Sequence, residues 1–191
     1  MVVALGVHRL RHALPLILED AENGLSSDAR ELFAELYEQL LICNTRVEHY
    51  DERIKRIFQR LPLCQKLACV EGVGPLIATA MVAAVGDAGT FKNGRQLAAW
   101  LGLTPRQYSS GGKSKLLGIS NRGDAYLRML LIHGARSVVS RADSKDDARS
   151  RWVSNIKARR GTNCACVALA NKNARILWAL MAREEAYHKA A

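Results

Sequence analysis

No stretch of eighteen uncharged apolar residues occurs in the 191-residue chain, so the sequence offers no membrane-spanning helix. The first twenty residues, MVVALGVHRLRHALPLILED, carry arginines within their apolar stretch and no small-residue cleavage site. They do not read as a signal peptide. The five cysteines are odd in number and irregularly spaced, which suggests a reducing cytoplasm. Cys64 and Cys69 stand five positions apart, Cys164 and Cys166 point to different faces of an apparent helix, and no His–Cys spacing resembles a zinc site. Internal repeats are absent and strand patterns are scarce. Acids are few in the second half, which lacks the paired carboxylates of a two-metal hydrolase. Neither a metal nor another cofactor is expected on this chain.

What is present is an apolar content of 49%, enough for one domain with a core plus one extra element. The net charge of +10 is unevenly placed. Residues 1–90 hold nine Lys/Arg against twelve Asp/Glu, whereas residues 91–191 hold nineteen against six. A basic half of that size points to a polyanion, most simply nucleic acid.

The pattern along the chain predicts an all-α fold. Residues 6–20 read as a short helix closed by the turn signal Glu22-Asn23-Gly24. A long helix then opens with Ser26 or Ser27 as N-cap and ends at Pro62. Within it Leu32, Leu36, Leu40, Cys43, Val47, Tyr50, Ile54, Ile57 and Leu61 recur at steps of three and four, an apolar seam of heptad type. Such a seam is buried against another helix, either in the same chain or in a second copy. Further on, Val70, Gly72, Val73, Gly74, Ala78 and Met81 fit a helix–hairpin–helix pattern whose backbone N–H groups can hold a DNA phosphate at Gly72 and Gly74. Leu76 departs from that pattern, standing where DNA-binding versions often carry a cation. Helices are expected again at 124–142, around 146–159 and at 163–183. The last has an apolar stripe of Val167, Leu169, Ile176, Leu177 and Leu180, interrupted by the polar patch Asn171-Lys172-Asn173.

NGRQLAAWLGL, residues 93–103, reads as a short amphipathic helix. Between it and the helix expected at 124–142 lies RQYSSGGKSKLLGISNRGD, residues 106–124, which reads as a long basic loop. Ser109 and Ser110 precede Gly111-Gly112, and Arg106, Lys113, Lys115 and Arg122 surround them. A phosphodiester entering here would meet hydroxyls among cations. A serine hydroxyl is a weak nucleophile without a base or metal to activate it, and cations would stabilise charge developing on a transferring phosphate. The same loop would equally serve to grip a phosphate backbone without breaking bonds.

Four stretches, EGVGPLIATAMVAAVGD, NGRQLAAWLGLTPRQYSSGGKSKLLGISNRGD, YLRMLLIHGARSVV and VALANKNARILWALMARE, together resemble the C-terminal transposase domain of the IS-one-ten/IS-eleven-eleven insertion-sequence family. The resemblance implies a coiled-coil and linker segment over 1–62, which contributes to homo-oligomer assembly. It implies a C-terminal transposase domain over 63–191, with the helix–hairpin–helix at about 64–86 and the serine loop at about 104–123. It further implies a site-specific DNA recombinase of the bacterial cytoplasm and nucleoid, partnered by DNA and a structured bridge RNA. The family's serine nucleophile falls on Ser110 of Tyr108-Ser109-Ser110-Gly111, with Ser109 at the variable position. The nucleic-acid-binding set expected around it is Gly72, Gly74, Arg106, Lys113, Lys115, Arg122 and Arg128. Two departures matter. Ser120-Asn121-Arg122-Gly123 stands where the family often has Ser-Lys-Arg-Gly. The RuvC-like N-terminal domain, whose four acids bind a divalent metal such as Mg, has no counterpart in this sequence. The expectation is therefore a truncated transposase, inactive without that acidic half. The alternative is a non-catalytic nucleic-acid-binding fragment or a dimerising competitor of an intact transposase.

Overall fold

The computed structural model describes residues 6–110, 113–183 and 187. By its internal contacts the chain divides into two units, Met1–Arg53 and Ile54–Ala191.

In the first unit, helix α1 (Val7–Glu19) is followed by a turn and by α2 (Ser27–Arg60), which runs past the end of that unit. Ser26 settles the N-cap, its Oγ accepting the Ala29 N–H at 3.2 Å. The end of α1 is tied down by Arg30, whose guanidinium donates to the Leu18 carbonyl at 2.8 Å and to the Asn23 side-chain oxygen at 2.7 Å. Tyr37 donates its hydroxyl proton to the Arg11 carbonyl at 3.3 Å, and Arg11 in turn donates to Asn44. Residues 30, 37 and 44 are spaced by sevens, so α1 lies along that one flank of α2. The apolar seam is centred roughly 100° further round the helix. It stays open among the described residues: Leu32, Leu36, Val47 and Tyr50 are each at least half exposed.

The second unit is built around α8 (Thr162–Ala182), against which α3 (Pro62–Ala68), α5 (Gly94–Trp100), α6 (Ala125–Val139) and α7 (Ala148–Arg160) pack, while α4 (Pro75–Val85) lies on α3 and α6. Small residues on α8 allow this crowding. Ala165, Ala170 and Ala174 are fully buried, and a Cβ on Gly94 would stand 2.8 Å from the Arg175 Cα. Leu67, Leu97, Leu101, Leu127, Leu131 and Leu177 fill the space between, with Cys64 and Cys166 as buried apolar members of the same core. Burial pushes both thiols above their ordinary value. The interruption at Asn171-Lys172-Asn173 proves to be part of the packing. Buried Asn173 donates to the Glu71 carbonyl at 3.0 Å and accepts from Arg149, and Asn171 donates to the Leu103 carbonyl at 3.2 Å. Two side-chain amides thus satisfy loop carbonyls that no helix supplies with donors.

The all-α reading holds with one exception. The segment read as a basic loop is an antiparallel hairpin of β1 (Pro105–Ser110) and β2 (Lys113–Ile119). Tyr108, Leu116, Leu117 and Ile119 suit a pleated surface, and a two-residue Gly-Gly connection is a hairpin signal. The run of serines and cations masks both in the sequence. No helix among the described residues is long and apolar enough to cross a membrane.

Candidate functional site

The hairpin is held at its base by an interlock of two backbone segments. Leu101–Leu103, following α5, runs against Arg122–Asp124, preceding α6. Gly102 and Gly123 both have positive φ, +71° and +76°. A Cβ on Gly102 would stand 2.2 Å from the Arg122 carbonyl oxygen, and one on Gly123 would stand 1.7 Å from that of Trp100. Only glycine lets the two segments approach so closely. The contact is completed by the Ser120 N–H donating to the Thr104 carbonyl at 2.8 Å. Asp124 then caps α6, accepting the Leu127 N–H at 2.9 Å. A two-stranded ribbon is marginal by itself in water; this one stands on the helical core.

The backbone register pairs Ser110 with Lys113, Ser109 with Ser114 and Tyr108 with Lys115. Strand alternation therefore puts positions 108, 110, 113 and 115 on one face of the ladder and 109 and 114 on the other. Gly111 and Gly112 lie outside the described residues. Arg106 is exposed on β1 where the register shifts, and Arg122 is exposed just beyond β2. No Asp or Glu occurs between Asp87 and Asp124, so the hairpin itself is free of acids, with Asp124 at the far edge of its base.

Arg128 occupies a different place from these. Its Nη1 donates to the Leu101 carbonyl at 3.1 Å and to the Arg122 carbonyl at 2.9 Å, so its guanidinium clamps the interlock. The two expected glycines also part company. Gly72, with φ +84°, is pressed onto α6, where a Cβ would stand 2.7 Å from the Gly134 carbonyl oxygen. Gly74 opens α4 with nothing within 4 Å of a Cβ, and Pro75 follows at the first helical position. Their turn thus gives one glycine to packing and leaves the other on the surface. Sequence reasoning missed Gly102 and Gly123. For Gly102 the available signal was a glycine directly after an amphipathic helix, the usual left-handed helix end; Gly123, which precedes α6, carries no such signal.

Among the described residues, no three His, Cys, Asp or Glu side chains gather where they could hold a metal ion. His8 and His12 stand one turn apart on α1 with ring centroids 4.7 Å apart, and no third described ligand joins them there.

Residues 64–151 match the family model described as the Transposase IS116/IS110/IS902 family. A Pseudomonas aeruginosa protein named "Probable family 20 transposase" is 52% identical over 157 residues, covering 82% of this chain and 46% of its own length. The transposase for insertion sequence element IS1111A of Coxiella burnetii is 44% identical over 187 residues, 98% of this chain and 51% of its own. That for IS1328 of Yersinia enterocolitica is 35% identical over 144 residues, 75% and 43% respectively. The chain spans about half the length of the curated relatives it matches. With hairpin, interlock and core all inside or adjoining the matched stretch, the chain belongs to the IS116/IS110/IS902 transposase family.

Proposed function

We propose that this chain is the DNA-engaging C-terminal portion of an insertion-sequence transposase, in which the hairpin carries Ser110 to a DNA phosphodiester. One observation carries the reading: Ser110 ends β1 opposite Lys113, on an acid-free ribbon seated on the helical core. Lys113, Lys115, Arg106 and Arg122 hold the phosphate and offset charge that builds on it. Arg128, Gly102 and Gly123 act through position, by fixing the hairpin base. Gly74 and the start of α4 offer a second backbone contact to the strand.

In the transfer step the Ser110 hydroxyl oxygen forms a bond to phosphorus as the bond from phosphorus to a sugar oxygen breaks. The hydroxyl proton passes to a base, and the departing sugar oxygen takes up a proton. The described residues form no ligand set for the divalent metal that the family resemblance implies. Base and metal would be supplied by an acidic partner domain. DNA is the substrate, a structured guide RNA the second nucleic acid, and a second copy of the chain covers the open seam of α2.

The test is strand transfer by this chain joined to the N-terminal half of the Coxiella burnetii relative. Ser110→Ala is expected to abolish transfer while duplex binding stays within about twofold, and Ser109→Ala to retain both. Transfer by the Ser110→Ala protein would overturn the nucleophile assignment.

A further inference from the structure

Beside the hairpin base, α5, α7 and α8 enclose a groove of about 1470 Å³. This exceeds the roughly 300–1,000 Å³ of small-molecule sites, so the groove is dimensioned for a chain. Its cations are Arg95, Arg149, Lys172, Arg175 and Arg183, and no described Asp or Glu lines it. Arg95, Lys172 and Arg175 make no ion pair with any described residue, whereas Asp143 and Asp146 are taken up by Lys157 and Arg151. Arg149 is half-buried and makes no ion pair with a described carboxylate side chain. It donates to the Tyr187 hydroxyl at 3.3 Å and to Asn173, and its Nε is buried with no hydrogen-bond partner. A guanidinium met only by neutral side-chain oxygens among the described residues is costly to bury, and an incoming anion would relieve that cost.

The groove also has aromatic walls. Trp178 is fixed by its indole N–H, which donates to the Ala88 and Phe91 carbonyls at 3.1 and 3.2 Å. Trp152 also lines the groove, and the Lys172 ammonium is 4.5 Å from its ring centroid. Cations along a backbone track and an indole on which a base can stack are the two parts of a single-strand site. A base inside a duplex has its faces covered and cannot use the second part. Pro105, Leu117 and Ile119 of the hairpin base form one wall. At about 3.3 Å per strand residue, Ser110 lies roughly 17 Å further along the ribbon.

We propose that this groove holds an unpaired stretch of nucleic-acid strand, with phosphates at Arg95, Lys172 and Arg175 and a base stacked on Trp152. The proposal rests on the reading above that the chain engages nucleic acid, and it adds a site apart from the serine hairpin. The strand is either DNA opened next to the reacting phosphate or an unpaired segment of the guide RNA; both present the same chemistry.

The test uses the full chain with three probes: oligo(dT), oligo(U) and a duplex of equal length, followed by tryptophan fluorescence and salt titration. Either single strand should quench the fluorescence. Trp152→Phe, which keeps the packing, should bind while losing most of the quench. Lys172→Ala with Arg175→Ala, both on the groove's surface, should weaken single-strand binding about tenfold or more. Their salt slope should become shallower by about 1.4, two contacts at 0.7 each, and duplex binding should be unchanged. Tighter binding of oligo(U) would assign the groove to RNA, and tighter binding of oligo(dT) to DNA. Duplex binding that persists, with single-strand affinity and quench indifferent to all these variants, overturns the groove and leaves the proposed function standing. Failure to bind any of the three probes overturns both.

Discussion

Replacing Gly123 by alanine places a Cβ 1.7 Å from the Trp100 carbonyl oxygen, a backbone atom that cannot rotate away. The position also has φ +76°, and holding an L-residue there costs roughly 1–2 kcal/mol. Forcing extra volume into a closely packed site adds about 1–3 kcal/mol. The sum, about 2–5 kcal/mol, corresponds to a fall in melting temperature of about 4–20 °C for a chain of this size. Gly102→Ala, whose Cβ would stand 2.2 Å from the Arg122 carbonyl oxygen, belongs in the same range. Gly118→Ala is the control. It lies on β2 with nothing within 4 Å of a Cβ and ordinary φ, so its melting point should stay within about 2 °C of the parent. Thermal denaturation followed by far-ultraviolet circular dichroism measures all three. A Gly123→Ala protein that melts with the parent would refute the interlock as the seat of the hairpin.

Asn173→Ala should lower the free energy of unfolding by about 1–3 kcal/mol in urea titrations, because it removes a donor from the Glu71 carbonyl and an acceptor from Arg149 at a buried position. Asp143 is held below the ordinary carboxylate range, chiefly by its hydrogen bond from Lys157 and next by that from Ser154. Its folded value being the lower one, the stabilisation it gives is fully present above the ordinary aspartate range, about pH 4, and is lost as the pH falls through the lowered folded value. The difference in urea midpoint between the parent and Asp143→Asn should therefore be present at neutral pH and vanish in strong acid. Leu36→Glu, on the open seam of α2, should reduce the molar mass measured by sedimentation equilibrium if a second copy covers that seam, and leave the melting of the α8-centred unit unchanged.

The helices are legible because their ends are written in side chains. Ser26 caps α2 and Pro62 ends it, Asn93 accepts the Arg95 and Gln96 N–H groups at the start of α5, and Pro75 opens α4. The hairpin is not legible as strands. Its apolar residues are few, and its stability comes from an interlock between residues about twenty positions apart. Asn173 reads as a break in a stripe because its partners, Glu71 and Arg149, are distant in sequence. The groove is invisible for the same reason, being assembled from α5, α7, α8 and the hairpin base. Charge asymmetry points to a polyanion from composition alone, but the choice of Ser110 over Ser109 comes only from the family resemblance. Residue chemistry treats the two hydroxyls alike.

The most direct measurement of the central claim is the salt dependence of duplex DNA binding by the full chain, with and without the cations of the hairpin. Lys113→Glu, Lys115→Glu and Arg122→Glu together should lower affinity at every salt concentration. They should also flatten the plot of log affinity against log salt by about 2.7, three phosphate contacts at 0.9 each. Ser110→Ala should leave both quantities as they are. Affinity that ignores salt, or a triple variant that binds as the parent does, would contradict the hairpin as the DNA-engaging surface.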